Sequence, residues 1–136
     1  MTALWQRPQW TCAIVFVIAL FAFVGCAKEV SKPKDRARVA GKVTFGGQPL
    51  PAGTVTFKSA NSPLSTPASI SQGGVYSTDR APLGKNTVSI DTSSIQYGNP
   101  AAYVRIPAKY NDPSTSGFTV DVHPGNNDDV NFALEK

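Results

Sequence analysis

The sequence predicts an all-β fold, a seven-stranded antiparallel β-sandwich, preceded by an N-terminal hydrophobic signal helix. Three observations carry that expectation. From Val39 onward, apolar and polar residues alternate with a period of two in one segment after another. Turn residues punctuate those segments every 8 to 12 residues or so. The 11 Gly and 11 Pro of the 136-residue chain supply many of them. Beyond the N-terminal apolar run, no stretch shows the apolar stripe of a helix.

The elements follow in order. "CAIVFVIALFAFVGCA" is apolar for 16 residues. That is shorter than the roughly 20 residues a membrane-spanning helix needs, and it suits the apolar core of a secretory leader. In "RVAGKVTF", Val39, Val43 and Phe45 share one face, and Ala40, Lys42 and Thr44 the other. "GGQPLPAG" connects, because its prolines cannot donate to a ladder. Val55 and Phe57 then point inward, with Thr54, Thr56 and Lys58 outward. "ANSPLSTP" is expected to be a polar loop. "ASISQGGVYSTDR" reads as a hairpin turning at Gly73-Gly74, with Ile70 and Tyr76 inward. After a turn at Pro82–Gly84, Val88 and Ile90 face the core. "SSIQYGNPAAYVRIPAKYNDPSTSG" is a long connection. "FTVDV" then places Phe118, Val120 and Val122 inward, "NNDD" turns, and "VNFALEK" alternates Val130, Phe132 and Leu134.

The apolar run ends "FVGC". Val24, Gly25 and Cys26 resemble the lipobox of bacterial lipoproteins, with Phe23 where Leu is usual. That resemblance implies acylation of the Cys26 thiol and cleavage between Gly25 and Cys26. Residues 1–25 are then a signal peptide, and 26–38 a lipidated cysteine with a flexible basic tether. Two or three acyl chains, at about 0.8 kcal/mol per buried CH2, hold a protein on a membrane where one does so only marginally. The tether contains Pro33 and is short of large apolar residues, which favours an extended chain. The alternative is an uncleaved signal anchor; either places residues 27–136 outside the cytoplasm. Ala27 follows the cysteine; in the lipoproteins of diderm bacteria that it resembles, an aspartate there would imply inner-membrane retention, so the resemblance implies the outer membrane or cell surface rather than the inner membrane.

Charge placement narrows the function. The chain has 13 Lys and Arg against 9 Asp and Glu. The tether holds five of the cations, Lys28, Lys32, Lys34, Arg36 and Arg38, against Glu29 and Asp35. Residues 39–136 carry seven of each sign and are neutral. The folded part thus lacks the basic footprint of a nucleic-acid-binding domain. The only cysteines are Cys12 and Cys26, too far apart along one helix for a disulfide.

Beyond Arg38, "VAGKVTFGGQPLPAGTVTF", "GGVYST" and "APLGKNTVSI" resemble the carboxypeptidase-regulatory-like, transthyretin-like (prealbumin-like) β-sandwich domain. Asn86 stands where that pattern usually has an aromatic residue. The closing "IPAKYNDPSTSGFTVDVHPGNNDDVNFAL" is similar to the end of small bacterial lipoproteins built on such a domain. The resemblance covers residues 39–136 and implies a non-catalytic module for structural support, adhesion, or carbohydrate and protein contact.

The residues themselves point away from an enzyme. The one histidine, His123, lies in "DVHPG" at a strand end, and no hydrolase, zinc-protease or phosphate-binding motif occurs. No cofactor is implied. Asp128 and Asp129, with Asn126, Asn127 and Asn131, offer oxygen ligands suited to calcium. Their spacing is not that of an EF-hand, and the same residues favour tight turns, which is the preferred reading. Tyr97, Tyr103, Arg105 and Tyr110 form a candidate ligand surface on the long connection. The competing reading has these tyrosines covering an open end of the core. The expected function is a cell-envelope lipoprotein acting as a structural or adhesive module. Its partners would be the membrane, through lipid, and an envelope protein or polysaccharide. The alternative is an extracytoplasmic small-ligand or carbohydrate-binding protein, calcium-dependent if Asp128 and Asp129 ligate.

Overall fold

A computed structural model describes residues 35–136. The leader, the predicted signal helix and Cys26 lie outside the described residues. The described chain is all-β, with 51% of it in strands, as the alternation predicts. The strands are β1 (Arg36–Phe45), β2 (Gln48–Pro49), β3 (Gly53–Ser59), β4 (Ser65–Ser71) and β5 (Val75–Pro82), then β6 (Gly84–Asp91), β7 (Phe118–Val122), β8 (Asn126–Asn127) and β9 (Phe132–Leu134). A four-residue helix, α1 (Ile95–Gly98), and two 3-10 turns, Pro100–Ala102 and Ala108–Asn111, interrupt the long connection.

Pairing runs unbroken in the order β2-β1-β5-β4-β3-β6-β7, with β8 and β9 both beside β1. The sheet is mostly antiparallel and curls into a half-barrel. Three features differ from expectation. The strands number nine rather than seven, and two of them, β8 and β9, run parallel to β1. Alternation reports which face a residue takes and is blind to strand direction. The two expected layers are also not separately paired, because β1 is ten residues long and belongs to both parts. One flank pairs with β5 and then β2; the other pairs with β8 and then β9.

Strand faces agree with the sequence reading. Val39, Val43, Val55, Phe57, Val88 and Ile90 are fully buried, and Ile70, Tyr76 and Val122 nearly so. The hairpin turns where expected, with Ile70 opposite Tyr76 and both Gly73 and Gly74 at positive φ. Boundaries differ at two places. The strand β1 begins at Arg36, so Arg36, Ala37 and Arg38 belong to the sheet rather than the tether. Ala37 is buried, and Arg36 donates to Thr66 Oγ1 and to the Arg80 carbonyl. The expected "ANSPLSTP" loop gives way to β4 at Ser65. Pro67 is tolerated there because it pairs with Thr56 of β3, while β5 meets β4 only at Ile70 and Ser71.

An aromatic cluster fills the concave side. Phe57, Tyr76 and Phe132 lie with ring centroids 5.9 to 6.4 Å apart. Phe118 links Phe132, at 5.2 Å, to Tyr110, at 5.5 Å. Such pairs contribute about 0.5–1.5 kcal/mol each beyond the area they bury.

Candidate functional site

The registers place the candidate residues at known ends of the sheet. Arg36 opposes Pro82, so the chain enters beside the Pro82–Gly84 turn. The other end of β1 turns at Gly46 and Gly47, and Lys42 opposes Val75 next to Gly74. Thr54 opposes Asp91, so the long connection leaves β6 at the end away from Arg36. Tyr97 sits on α1 and is 86% exposed. Arg105 is also exposed and Tyr103 half-buried.

Tyr110 does not join them at the surface. Its ring is buried against Phe118, and its hydroxyl accepts the backbone N–H of Glu135 at 2.9 Å. The Lys109 ammonium lies 4.8 Å from the ring centroid on the outer side. Of the three tyrosines, Tyr110 covers the core in the manner of the competing reading, and Tyr97 stays exposed. Thr92 fixes the connection's start by donating to the Val104 carbonyl at 2.7 Å.

The acidic segment is tied to β1. Asn127 donates to the carbonyls of Arg38, at 3.0 Å, and His123, at 2.8 Å, while its Oδ1 accepts His123 N–H. Asn131 Oδ1 accepts the Lys42 N–H at 2.8 Å. Both amides are therefore engaged by backbone rather than presented to an ion. Asp128 lies 3.9 Å from Arg38 Nε, and Asp129 takes the left-handed conformation at φ 61°. Among the described residues, no group of three His, Cys, Asp or Glu side chains converges where it could hold a metal ion. Asp128, Asp129 and Asn131 instead rim an open hollow of about 320 Å³ whose floor includes Gly41 and the exposed Val75.

A second hollow, about 500 Å³, lies between Lys58 and Thr87 of the sheet and the loop Asp112-Pro113-Ser114. Here the Ser114 hydroxyl and N–H both donate to Asp112, which holds that carboxyl below the usual carboxylate range. Nearby, the Ser116 hydroxyl donates to the Val88 carbonyl and accepts from Phe118 N–H, fastening the loop to β6.

Sequence reasoning missed the structural role of three asparagines. Asn86 is fully buried, with Nδ2 donating to the carbonyls of Pro82 and Gly84 at 2.8 Å each. Its Oδ1 has no partner. The signal was its parity with Val88 and Ile90, which places it inward. The suturing asparagines 127 and 131 had no such signal, because turn asparagine and tether asparagine read alike.

No protein-family model matches the chain, and no curated protein matches it. A solved structure similar to it is that of a DUF3823 family protein from Parabacteroides merdae, at 15% identity and a TM-score of 0.49. The match covers 74% of this chain and 46% of that one, so the chain spans about half the length of that protein.

Proposed function

We propose that the protein is an envelope lipoprotein whose β domain is a non-catalytic structural or adhesive module. In this reading lipid on Cys26 holds the domain at the extracytoplasmic side of a membrane. The observation that carries it is the 16-residue apolar run that closes on Val24-Gly25-Cys26 immediately before a basic, polar link. Only residues 27–35 separate Cys26 from the first residue of β1. Fully extended, that link reaches at most about 36 Å. An acylated Cys26 would therefore keep the domain within about 36 Å of the headgroups, a reach comparable with the length of β1 itself. Tyr97, highly exposed, is free to contact an envelope protein or polysaccharide.

Kinship with the carboxypeptidase-regulatory-like sandwich belongs to the same proposal. Its support is the steric demand at two glycines of the resembling motifs. A Cβ on Gly41 would stand 1.8 Å from the Val130 carbonyl oxygen, and one on Gly74 2.4 Å from that of Val43. Among the described residues, no helix is long and apolar enough to cross a membrane.

Membrane fractionation tests the anchor. Wild-type protein should sediment with membranes, resist extraction by high salt and yield to detergent. Cys26→Ser should take up no labelled fatty acid and should keep residues 1–25, so any membrane association it retains rests on the uncleaved apolar run. Salt alone should not release the wild type, since the basic tether's attraction is screened whereas acyl burial is not. Equal fatty-acid labelling of wild type and Cys26→Ser, or none of the wild type, would overturn the proposal.

A further inference from the structure

We propose that the domain bears tension along its long axis, with β1 and the chain from Gly125 to Leu134 acting as a shear clamp. This rests on the anchor reading for the load at the Arg36 end, and on the structure for the clamp; the opposing load is one applied at Lys136. The two segments run parallel and side by side, with Arg38 opposite Asn126, Val39 opposite Asn127, and Val43 to Phe45 opposite Phe132 to Leu134. The chain enters at Arg36, while Lys136 lies against Gly46 at the other end. Tension between those ends therefore pulls β1 and its neighbour in opposite directions along their common axis.

The bonds that resist this sliding lie across the pull and are spread along the strand. Arg38 N–H donates to the Gly125 carbonyl at 3.1 Å, and Val130 N–H to the Ala40 carbonyl at 3.0 Å. Lys42 N–H donates to Asn131 Oδ1, and Gly46 N–H to the Leu134 carbonyl at 2.9 Å. Asn127 Nδ2 adds a bond to the Arg38 carbonyl. From Arg38 to Gly46 this series spans about 26 Å of strand. Loaded in shear, its members must fail together, whereas a pull across the strands opens them one after another. Two further contacts oppose sliding. The Tyr76 hydroxyl donates to the Val130 carbonyl at 2.6 Å from within the core. Gly41 admits the Val130 carbonyl so closely that the segments are keyed at that point.

Single-molecule pulling on the full chain tests the clamp, with Cys12→Ser and Cys26→Ser freeing the thiols for handles. One pair of handles, Asp35→Cys and Lys136→Cys, loads the clamp in shear. A second pair, Asp35→Cys and Leu83→Cys, pulls at the common end of the two strands, where Leu83 N–H donates to the Asp35 carbonyl, and peels β1 from β5. At one loading rate, the first geometry should need at least about twice the rupture force of the second, because forced unfolding follows the barrier along the pulled direction. Asn131→Ala should lower the force in the first geometry and leave the second unchanged. Equal forces in the two geometries would overturn the clamp, as would an Asn131→Ala effect of the same size in both. Loss of acylation at Cys26 would overturn the anchor and leave this mechanical difference intact, so the two failures are distinguishable.

Discussion

Gly41 has no space for a side chain, because the Val130 carbonyl oxygen occupies the place a Cβ would take. Gly41→Ala must push β1 and the C-terminal segment apart. It should cost about 2–3 kcal/mol or more, read as a lower midpoint in urea unfolding. Asn86→Ala removes both donors to the Pro82 and Gly84 carbonyls and should cost about 1–3 kcal/mol in the same assay. At Asp112 the depressed pKa gives a pH prediction. The ionised carboxylate accepts the Ser114 bonds, so their contribution is present above the unfolded pKa and lost as pH falls through the lower folded one. Ser114→Ala should move the Asp112 titration, followed by NMR, up toward the ordinary carboxylate range. Much at this scale was legible. The turn at Gly73-Gly74 was read from the sequence and both residues take positive φ; the close approach at Gly41 was not, because nothing in the sequence marks which carbonyl will meet it. Asn86 was harder, since only its parity with Val88 and Ile90 says that an amide is buried there.

At the scale of elements, inward and outward positions were read correctly because a half-buried strand exposes its period of two directly. Partners were not readable in the same way. Short segments such as Asn126–Asn127 and Phe132–Leu134 gain their strand geometry from β1, and their own sequence carries no mark of parallel pairing. The start of β1 was misplaced for a related reason. Arg36 and Arg38 look like tether cations, yet Arg36 bridges Thr66 and Arg80 and so closes the gap where β5 leaves β4. Asn127→Ala removes donors to the Arg38 and His123 carbonyls as well as an acceptor for His123 N–H. It should expose the Arg38 and Val130 amides to faster hydrogen exchange while leaving the β3–β6 amides protected.

Over the whole molecule, nine residues separate Cys26 from a curled sheet that the chain enters at Arg36. The all-β class was legible because alternation and turn spacing agreed throughout. The half-barrel was not, because it depends on one long strand serving two parts of the sheet. Of the candidate surface, Tyr97 stays exposed while Tyr110 is drawn into the core by Phe118 and Glu135. The side chains themselves are alike in sequence, and only the packing of the connection separates them. The central claim is the lipid on Cys26. Its most direct test is the intact mass of the protein from membranes of a lipoprotein-processing host, wild type beside Cys26→Ser. Acylation predicts a mass equal to residues 26–136 plus acyl chains, lost in the variant. An unprocessed full-length mass in both would contradict it.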